Sequence, residues 1–215
     1  MAVRRTQSML EKGQSHPTRI QIIEATAAII KEKGIAGLHM DHVLARTGLT
    51  RGAVYHHFQN VDDLVEHALV SVYAEGVDAN IAMVRDLLAS TGTFVQFREG
   101  VLKANLLYAQ NRNLRRLRTM RAHVMAATES SATVSAALAV EQQRLTDEYV
   151  ALIEAARQKG WVRRDIDPVA LAVFIQAYSF GVIVDDVSSE HVDADAWARI
   201  IESFFENNVF EPQQG

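Results

Sequence analysis

Hydrophobic residues recur with a helical spacing along most of this chain, and the clearest run lies near its front. Thr18 with Gln21 fits a capping box, and Gly34 fits a C-terminal stop. Between them the apolar positions keep the helical period, at Ile22, Ile23, Ala27 and Ile30. The pattern predicts a first helix from Thr18 to Gly34, about four turns long.

Two shorter helices around a glycine are predicted next. The first covers roughly Met40 to Arg46, and Gly48 after it suits the left-handed backbone of a tight turn. The second covers Arg51 to about Phe58 and is capped by Thr50. It is predicted to bury Val54 and Phe58. Helices this short are not stable alone and must pack on their neighbours. The arrangement is a helix-turn-helix, which indicates DNA binding.

The rest of the chain predicts more helices and no convincing strand. A fourth helix starts near Asn60 and Asp63, with an apolar stripe at Leu64, Ala68, Leu69, Val72 and Tyr73. Further helices are predicted at about Thr93 to Gln110, Leu114 to Thr128, Ala132 to Lys159, Pro168 to Val187 and Asp195 to Asn208. The breaks fall at Gly92, Asn111 to Asn113, the Ser130 region, Gly160, and Ser188 to Val192.

Composition narrows the class of protein. With 215 residues and 48% hydrophobic content, the chain can bury a full core in one or two domains. It has no cysteine, so disulfides, thiolate chemistry and cysteine-ligated zinc are excluded, and no signal peptide is recognised. The longest apolar run, Val169 to Val184, is interrupted by Gln176 and Ser179 and is better explained by a buried helix than by a membrane span. A cytoplasmic protein that does not contact membranes is predicted.

Charge is distributed unevenly. Up to residue 60 there are eight basic and four acidic residues, a net +4, whereas the remainder holds 14 basic and 22 acidic residues, a net −8. Binding to phosphate needs local positive charge and tolerates an acidic partner domain. The asymmetry favours a small DNA-facing head on a larger acidic body.

Four motifs follow one another along the head: Ile23-Glu24-Ala25, Lys33-Gly34, Thr47-Gly48-Leu49-Thr50-Arg51-Gly52 and Tyr55-His56-His57-Phe58. In these motifs the chain resembles the TetR family of bacterial one-component transcriptional regulators. The resemblance is densest over roughly Thr18 to Leu69, and a weaker one covers Gly160 to Arg163 with Asp167 and Pro168. This spacing is much more specific than a bare helix-turn-helix. Three positions depart from the family pattern: His39 replaces a capping Ser or Thr, Leu44 replaces Ala, and Val61 replaces a Lys that would help to hold a phosphate.

The resemblance implies an all-α fold: an N-terminal three-helix helix-turn-helix DNA-binding head, then a larger helical effector-binding and dimerisation domain. We expect a flexible N-terminal arm over residues 1–17, the DNA-binding domain over 18–60, and the ligand-binding and dimerisation domain over 61–215. The expected function is that of a ligand-responsive regulator, a repressor released from a double-stranded DNA operator by a small-molecule effector. The alternative is a dimeric helical module that binds a ligand or partner and retains a weak or vestigial head.

Roles in the head follow from how a recognition helix enters the major groove. Its first turn meets base edges, so Thr50, Arg51 and Ala53 are candidates for base or flanking phosphate contacts, with Arg51 able to pair with guanine. Thr47, Tyr55 and His56 are predicted to position phosphates, although Tyr55 is as well explained as a core aromatic. Gly52 is predicted to admit close approach of the DNA, and close helix packing is the other interpretation.

The body is assigned on the resemblance. A mostly apolar effector pocket is expected, and its lining is predicted as Phe97, Met120, Met125, Tyr149, Phe174 and Tyr178, although each could be ordinary core. The dimer interface of the expected homodimer is predicted from two long helices, at Phe174, Ala177, Gly181, Trp197, Ile201 and Phe204.

The basic run from Arg112 to Arg121 leaves two interpretations open. It comprises Arg112, Arg115, Arg116, Arg118 and Arg121. It is either a solvated helix paired with acids such as Glu99 or Asp86, or a functional feature that recognises an anionic effector or attracts phosphate at long range. Enzymatic groups, repeated Glu-x-x-His pairs and phosphate loops are not found, and neither a metal nor a cofactor is predicted.

Overall fold

The computed structural model describes residues 16–110, 114–129 and 131–212. Most of the predicted N-terminal arm, the predicted break at Asn111 to Asn113 with Arg112, and Ser130 lie outside the described residues, as does the side chain of Arg116.

Every regular element in the described ranges is helical, apart from one isolated backbone bridge. In chain order the α-helices are α1 (Pro17–Lys33), α2 (Met40–Thr47), α3 (Arg51–His57), α4 (Val61–Ser90), α5 (Phe94–Gln110), α6 (Arg115–Ala126), α7 (Ala132–Gln158), α8 (Pro168–Gly181), α9 (Ile183–Asp186) and α10 (Ala194–Asn208). A single 3-10 turn, Ala127–Glu129, follows α6. The all-α prediction is confirmed, and the predicted helices agree with these bounds to within a few residues.

Two details of the predicted helices are wrong. Helix α1 is capped by the His16 ring, which accepts from the Thr18 amide at 3.3 Å, and Pro17 fills the first helical position. The predicted capping box therefore does not form, and Gln21 donates to the Thr47 carbonyl at 3.2 Å instead. The predicted helix from Pro168 to Val187 is interrupted at Val182, so α8 and α9 are separate.

The chain divides into two compact units. Among the described residues, those of 16–79 and 120–142 form the first unit, and those of 80–119 and 143–212 form the second. The predicted boundary at residue 60 falls inside the first unit and stays a prediction. The first unit contains an aliphatic core to which α1, α2, α3 and α4 all contribute: Ile20, Ile22, Ile23, Ile29, Val43, Val54, Phe58 and Leu64.

The second unit is built around aromatic rings. Phe97 of α5 stacks on Trp161, with ring centroids 5.3 Å apart, and Phe210 meets Phe94 edge to face at 5.6 Å. The chain after α10 is held against the segment that follows α7: the Arg163 amide donates to the Val209 carbonyl, and the Glu211 amide donates to the Trp161 carbonyl, both at 3.0 Å. These bonds fix Phe210 over the core.

One side of the apolar run on α8 and α9 is exposed, so the prediction of a buried helix is wrong for that side. By length and composition alone, the segment Pro168–Asp186 could cross a membrane. Only 22% of its most apolar 18-residue stretch is buried inside the protein. Three valines that follow the helical period, Val169, Val173 and Val184, are more than half exposed. An unsatisfied apolar face of this kind marks an interaction surface.

A buried ion pair joins α6 to the end of α9 within the second unit. Arg118 and Asp186 have side chains 2% and 9% exposed, and two N–H groups of the guanidinium donate to the two carboxylate oxygens, each at 2.5 Å. The hydrogen bond from Arg118 holds the pKa of Asp186 below its usual range. Removing one partner of a buried pair leaves a desolvated charge that lacks its counterion.

Replacing Asp186 by Asn should lower the free energy of unfolding by about 3 kcal/mol, which corresponds to roughly 6–12 °C in Tm for a chain of this size. The matched control is Asp165→Asn, which removes an exposed carboxylate that pairs with Arg163 at 2.6 Å and should leave Tm nearly unchanged. Thermal unfolding by circular dichroism measures both, and equal Tm values for the two variants would contradict the assignment.

The pH dependence of this difference has a definite sign. Because the folded-state pKa of Asp186 is lowered, the pair stabilises the protein fully above the unfolded pKa of a carboxyl group and loses its effect as acid protonates it. The gap in Tm between the unsubstituted protein and Asp186→Asn should therefore narrow below about pH 4.

Candidate nucleic-acid interface

The turn between α2 and α3 is determined by Gly48. Its φ of +70° is left-handed, and its amide donates to the Leu44 carbonyl at 2.9 Å, which ends α2. The Thr47 hydroxyl donates to the Val43 carbonyl at 2.8 Å and accepts from the Leu49 amide at 3.4 Å. Thr47, predicted to hold a phosphate, thus uses its hydroxyl within the turn. The sequence prediction of this turn is confirmed.

Helix α3 begins and ends as predicted. The Thr50 hydroxyl accepts from the Ala53 amide at 3.2 Å, so this residue is the N-cap. Val54 is fully buried, and Phe58, directly after the helix, is 2% exposed. These two apolar anchors fix which side of the short helix faces the core.

The opposite side of α3 is a continuous exposed face. Arg51, Gly52, Tyr55 and His56 are all exposed, with Tyr55 43% accessible, while Ala53 is half-buried. Residues at positions i, i+1, i+4 and i+5 lie on one side of a helix. The core interpretation of Tyr55 is therefore not supported, and four of the seven predicted DNA-contacting residues share this outer face, next to the exposed cap Thr50.

The space around Gly52 decides between its two interpretations. A Cβ built at this residue meets no described atom within 4 Å, so close helix packing does not require a glycine there. A glycine in a helix interior costs about 1 kcal/mol relative to alanine. No packing contact among the described residues therefore explains why α3 has a glycine, rather than an alanine, at this position.

Arg51 has a partner that sequence reasoning missed. Its guanidinium donates to the Asp41 carboxylate at 2.8 Å, and both side chains are more than half exposed. An exposed pair contributes little to stability. Because a guanidinium has five N–H donors, Arg51 retains donors for a base or a phosphate while Asp41 restrains it. The signal in the sequence was an acid in the first turn of α2, ten residues before the arginine.

A second exposed pair joins α1 to α2 in the same unit. Arg46 donates to the Glu32 carboxylate at 2.7 Å. That hydrogen bond lowers the pKa of Glu32 and raises the pKa of Arg46.

The start of α4 is acidic and has no lysine. The Asn60 side chain accepts from the Asp63 amide at 2.8 Å, and the Asp63 carboxylate accepts from the Gln59 amide at 2.9 Å. Val61 is exposed at the first position, and the acids of the first turn are Asp62 and Asp63. Acids stabilise a helix N-terminus but do not attract phosphate, so the described first turn of α4 offers a phosphate backbone amides and no cationic side chain.

The predicted pocket residues fall into both units. Met120 is buried and Met125 half-buried in the first unit, whereas the other four lie in the second. There Phe97 belongs to the aromatic core, and Phe174 is 43% exposed. The Tyr178 hydroxyl donates to the Asn105 side chain, and burial, with a smaller contribution from nearby Tyr149, raises the pKa of Tyr178.

All six predicted interface residues lie along α8 and α10. Phe174 stacks on Phe204, with ring centroids 4.7 Å apart, which places the two helices side by side. Ile201 is buried in the core of its own unit, whereas its neighbour Ile200, missed in the sequence, is 62% exposed. The buried indole N–H of Trp197 has no acceptor among the described residues. The remaining two, Ala177 and Gly181, are exposed and half-buried.

Two arginines of the basic run have partners, which are not the acids suggested by the sequence. Arg118 binds Asp186, and Arg121 donates to the Gln142 side chain at 3.3 Å and lies 5.8 Å from the Tyr73 ring centroid. Glu99 and Asp86 are not the partners of these two arginines in any contact of the described ranges. Arg118 and Arg121 therefore have structural roles, and the anionic-effector interpretation of the rest of the run stays a prediction.

Similarity to known proteins agrees with this geometry. Residues 22–68 match the model of the bacterial regulatory proteins of the tetR family. The transcriptional regulator TtgR of Pseudomonas putida is 38% identical over 71 residues, 33% of this chain and 31% of TtgR. The transcriptional repressor KstR2 of Mycobacterium tuberculosis is 26% identical over 93 residues, 43% of this chain and 44% of KstR2. The chain thus spans less than half the length of these curated relatives.

The body is similar in fold to solved structures. A transcriptional regulator from Saccharomonospora viridis, solved in complex with choline, superposes with a TM-score of 0.66 at 16% identity, over 90% of this chain and 98% of that one. Identity this low shows the fold alone.

Two short helices around a glycine turn, the second capped and exposed on its outer side, define the helix-turn-helix class. The matching segment and the shared fold place the protein more narrowly. Residues 22–68 match the tetR family of bacterial regulatory proteins, and the helical fold of the chain is that of the solved regulator described above.

The two glycines of the head should respond in opposite ways to substitution. Gly48→Ala places a side chain at φ +70° and should lower the free energy of unfolding by about 1–2 kcal/mol. Gly52→Ala adds a methyl group in open space and should raise it by up to about 1 kcal/mol. Urea unfolding measures both, and a destabilising Gly52→Ala would show that the site is crowded.

Proposed function

We propose that this protein is a cytoplasmic, DNA-binding transcriptional regulator. It binds a double-stranded operator as a homodimer, represses, and is released by a small-molecule effector. The observation that carries the proposal is the outer face of α3, where Arg51, Gly52, Tyr55 and His56 are exposed on a helix capped by Thr50. The similarity to TtgR, a transcriptional regulator, and to KstR2, a transcriptional repressor, supports it. No enzymatic step is assigned to the chain.

The proposed contacts follow from the position of each side chain on α3. Arg51 stands in the first turn and reaches a base edge, with guanine as the base that matches its paired donors. Tyr55 and His56, one turn later, reach phosphates, and Gly52 lets the DNA backbone approach the helix closely. Gly52→Ala, although it should stabilise the fold, is then expected to weaken DNA binding.

Binding to DNA selected from a random duplex pool tests the proposal. The affinity should fall steeply as salt rises, because phosphate neutralisation releases counterions. Arg51→Ala should weaken binding to the selected site about 5- to 100-fold and relax the choice of base. Fluorescence anisotropy measures the affinity, and repeated selection with the variant measures the choice of base.

The matched control for Arg51→Ala is Arg46→Ala. It removes one positive charge from the same unit, but its guanidinium is bound to Glu32 of α1 and lies outside the α3 face. The control should weaken binding only slightly and leave the selected sequence unchanged. Affinity that is flat from low to moderate salt would contradict DNA binding, and an unchanged sequence preference in Arg51→Ala would contradict base reading.

Dimerisation is proposed through the exposed apolar face of the second unit. This face, here called the α8–α10 face, combines Val169, Val173, Ala177 and Val184 with Ile200. The stacked pair Phe174 and Phe204 lies between the two helices. A second copy related by a two-fold axis would cover the same residues from the other side and form a four-helix bundle. The unsatisfied Trp197 N–H could then find an acceptor.

Ile200→Glu should convert the dimer to a monomer, because it places a charge at the centre of the proposed apolar contact. Ile200 is 62% exposed in one chain, so the fold itself should survive the change. Val95→Glu is the matched control, since Val95 is 58% exposed and lies on α5, outside the face. Light scattering measures the molar mass of each variant in solution. A dimer that persists in Ile200→Glu would show that the interface lies elsewhere.

The effector is proposed to bind in the body. The helical fold shared with a choline complex supports a ligand site of this kind. Within the second unit, Tyr149, Phe174 and Tyr178 form the aromatic group that best suits an apolar ligand with one polar contact, since the Tyr178 hydroxyl already pairs with Asn105. Phe97, Met120 and Met125 stay predictions.

A further inference from the structure

A buried guanidinium connects three elements of the first unit. Arg19 of α1 is 8% exposed, and its guanidinium carbon lies 4.8 Å from the centroid of the Phe58 ring, directly after the recognition helix. The same guanidinium lies 2.8 Å from Nε2 of His67, on α4. The His67 ring meets the Phe58 ring edge to face, with centroids 5.7 Å apart. Arg19, Phe58 and His67 therefore pack as one group.

These contacts determine which nitrogen of His67 carries its hydrogen. An arginine only donates, so Nε2 must accept from Arg19 through its lone pair. Nδ1 lies 2.7 Å from the backbone carbonyl of Asp63 and 3.1 Å from its carboxylate, and both of these groups accept. The ring is thus neutral, with its hydrogen on Nδ1, and both nitrogens are satisfied.

Asp63 extends the network to the link between α3 and α4. Its second carboxylate oxygen accepts from the Gln59 amide at 2.9 Å, and its own amide donates to the Asn60 side chain at 2.8 Å. Phe58, Gln59 and Asn60 are the whole link. Each residue of this link therefore has a contact that restrains it. Phe58 packs against Arg19, Gln59 donates to Asp63, and Asn60 caps α4.

We propose that His67 is a positioning residue for DNA recognition, and that adding a proton to its Nε2 releases the recognition helix. The proposal rests on the proposed DNA-binding function. A proton on Nε2 replaces the acceptor by a donor that faces a guanidinium, so the hydrogen bond to Arg19 is lost. The charged groups that the described structure places against the ring are Arg19 from α1 and Asp63 on α4.

Asp63 determines which contact of the protonated His67 ring is lost. Its carboxylate attracts the protonated ring and keeps the ring on α4, so Arg19 is the side chain that must move away. Phe58 then loses the guanidinium that covers its face, and α3 loses a constraint on its orientation. The DNA affinity should therefore decline under acidic conditions through a contact that never touches DNA.

The test compares the full-length protein with His67→Gln and Arg19→Met on one duplex, selected from a random pool at pH 7.5. Glutamine can accept from Arg19 and donate to Asp63, and it does not titrate. Affinities are measured by anisotropy from pH 8 to pH 5.5 at constant ionic strength. Every other source of pH dependence is common to the three proteins, so the readout is the ratio of each variant's affinity to that of the unsubstituted protein.

The ratio for His67→Gln should be near one at pH 7.5 and rise roughly 5- to 10-fold at pH 5.5. Arg19→Met should bind DNA more weakly than the unsubstituted protein at pH 7.5. Its affinity should also depend less on pH, as in His67→Gln, because His67 then has no hydrogen bond to Arg19 that a proton could break. Parallel profiles for the three proteins would overturn the release mechanism alone, whereas absence of DNA binding by the unsubstituted protein at low salt would overturn the proposed function as well.

A spectroscopic measurement tests the network without DNA. Nitrogen-15 NMR of the imidazole rings at pH 7.5 should show His67, assigned by the signal missing in His67→Gln, with its hydrogen on Nδ1. In Arg19→Met that tautomer should no longer be imposed. A hydrogen on Nε2 in the unsubstituted protein would overturn the proposal, whatever the binding profiles show.

Discussion

The orientation of a seven-residue helix is the constraint on which the function of this protein depends. Helix α3 is too short to be stable alone, and one buried residue within it, Val54, does not fix its direction. Phe58 supplies the second anchor. Because this ring is enclosed by the aliphatic core on one side and by Arg19 on the other, the outer face of α3 is presented in one orientation. Everything proposed for Arg51, Gly52 and Tyr55 depends on that anchor.

The same logic explains why the head could be predicted closely from its sequence. Gly48, Thr50, Val54 and Phe58 act through local backbone and helical spacing, which a sequence displays directly. The contacts that were missed join residues far apart: Asp41 with Arg51, Arg19 with His67, and Gln21 with the Thr47 carbonyl. Nothing in the spacing of these residues shows that they meet, because the meeting depends on how the helices pack.

In the body, the sequence predicted where the helices lie but not which of their faces are buried. The run from Val169 to Val184 predicted a buried helix because apolar residues surround it, yet one side is exposed. Periodicity cannot distinguish a helix buried in its own chain from one buried by a second copy. Likewise, Ile200 and Ile201 are chemically identical neighbours, and only the packing of α10 shows which one faces outward. The partner of Arg118 was missed for a similar reason, since the acid that binds it lies 68 residues further along the chain.

The way the chain closes after α10 has a consequence for its synthesis. Phe210 covers the aromatic core of the second unit, and the amide of Glu211 is bonded to the carbonyl of Trp161. The core that Phe97 and Trp161 begin is therefore completed only by residues that leave the ribosome about fifty positions later. Until then the aromatic surface is open to solvent, whereas the aliphatic core of the head needs no residue beyond Leu64. On the ribosome the head has what it needs to form its core long before the body does.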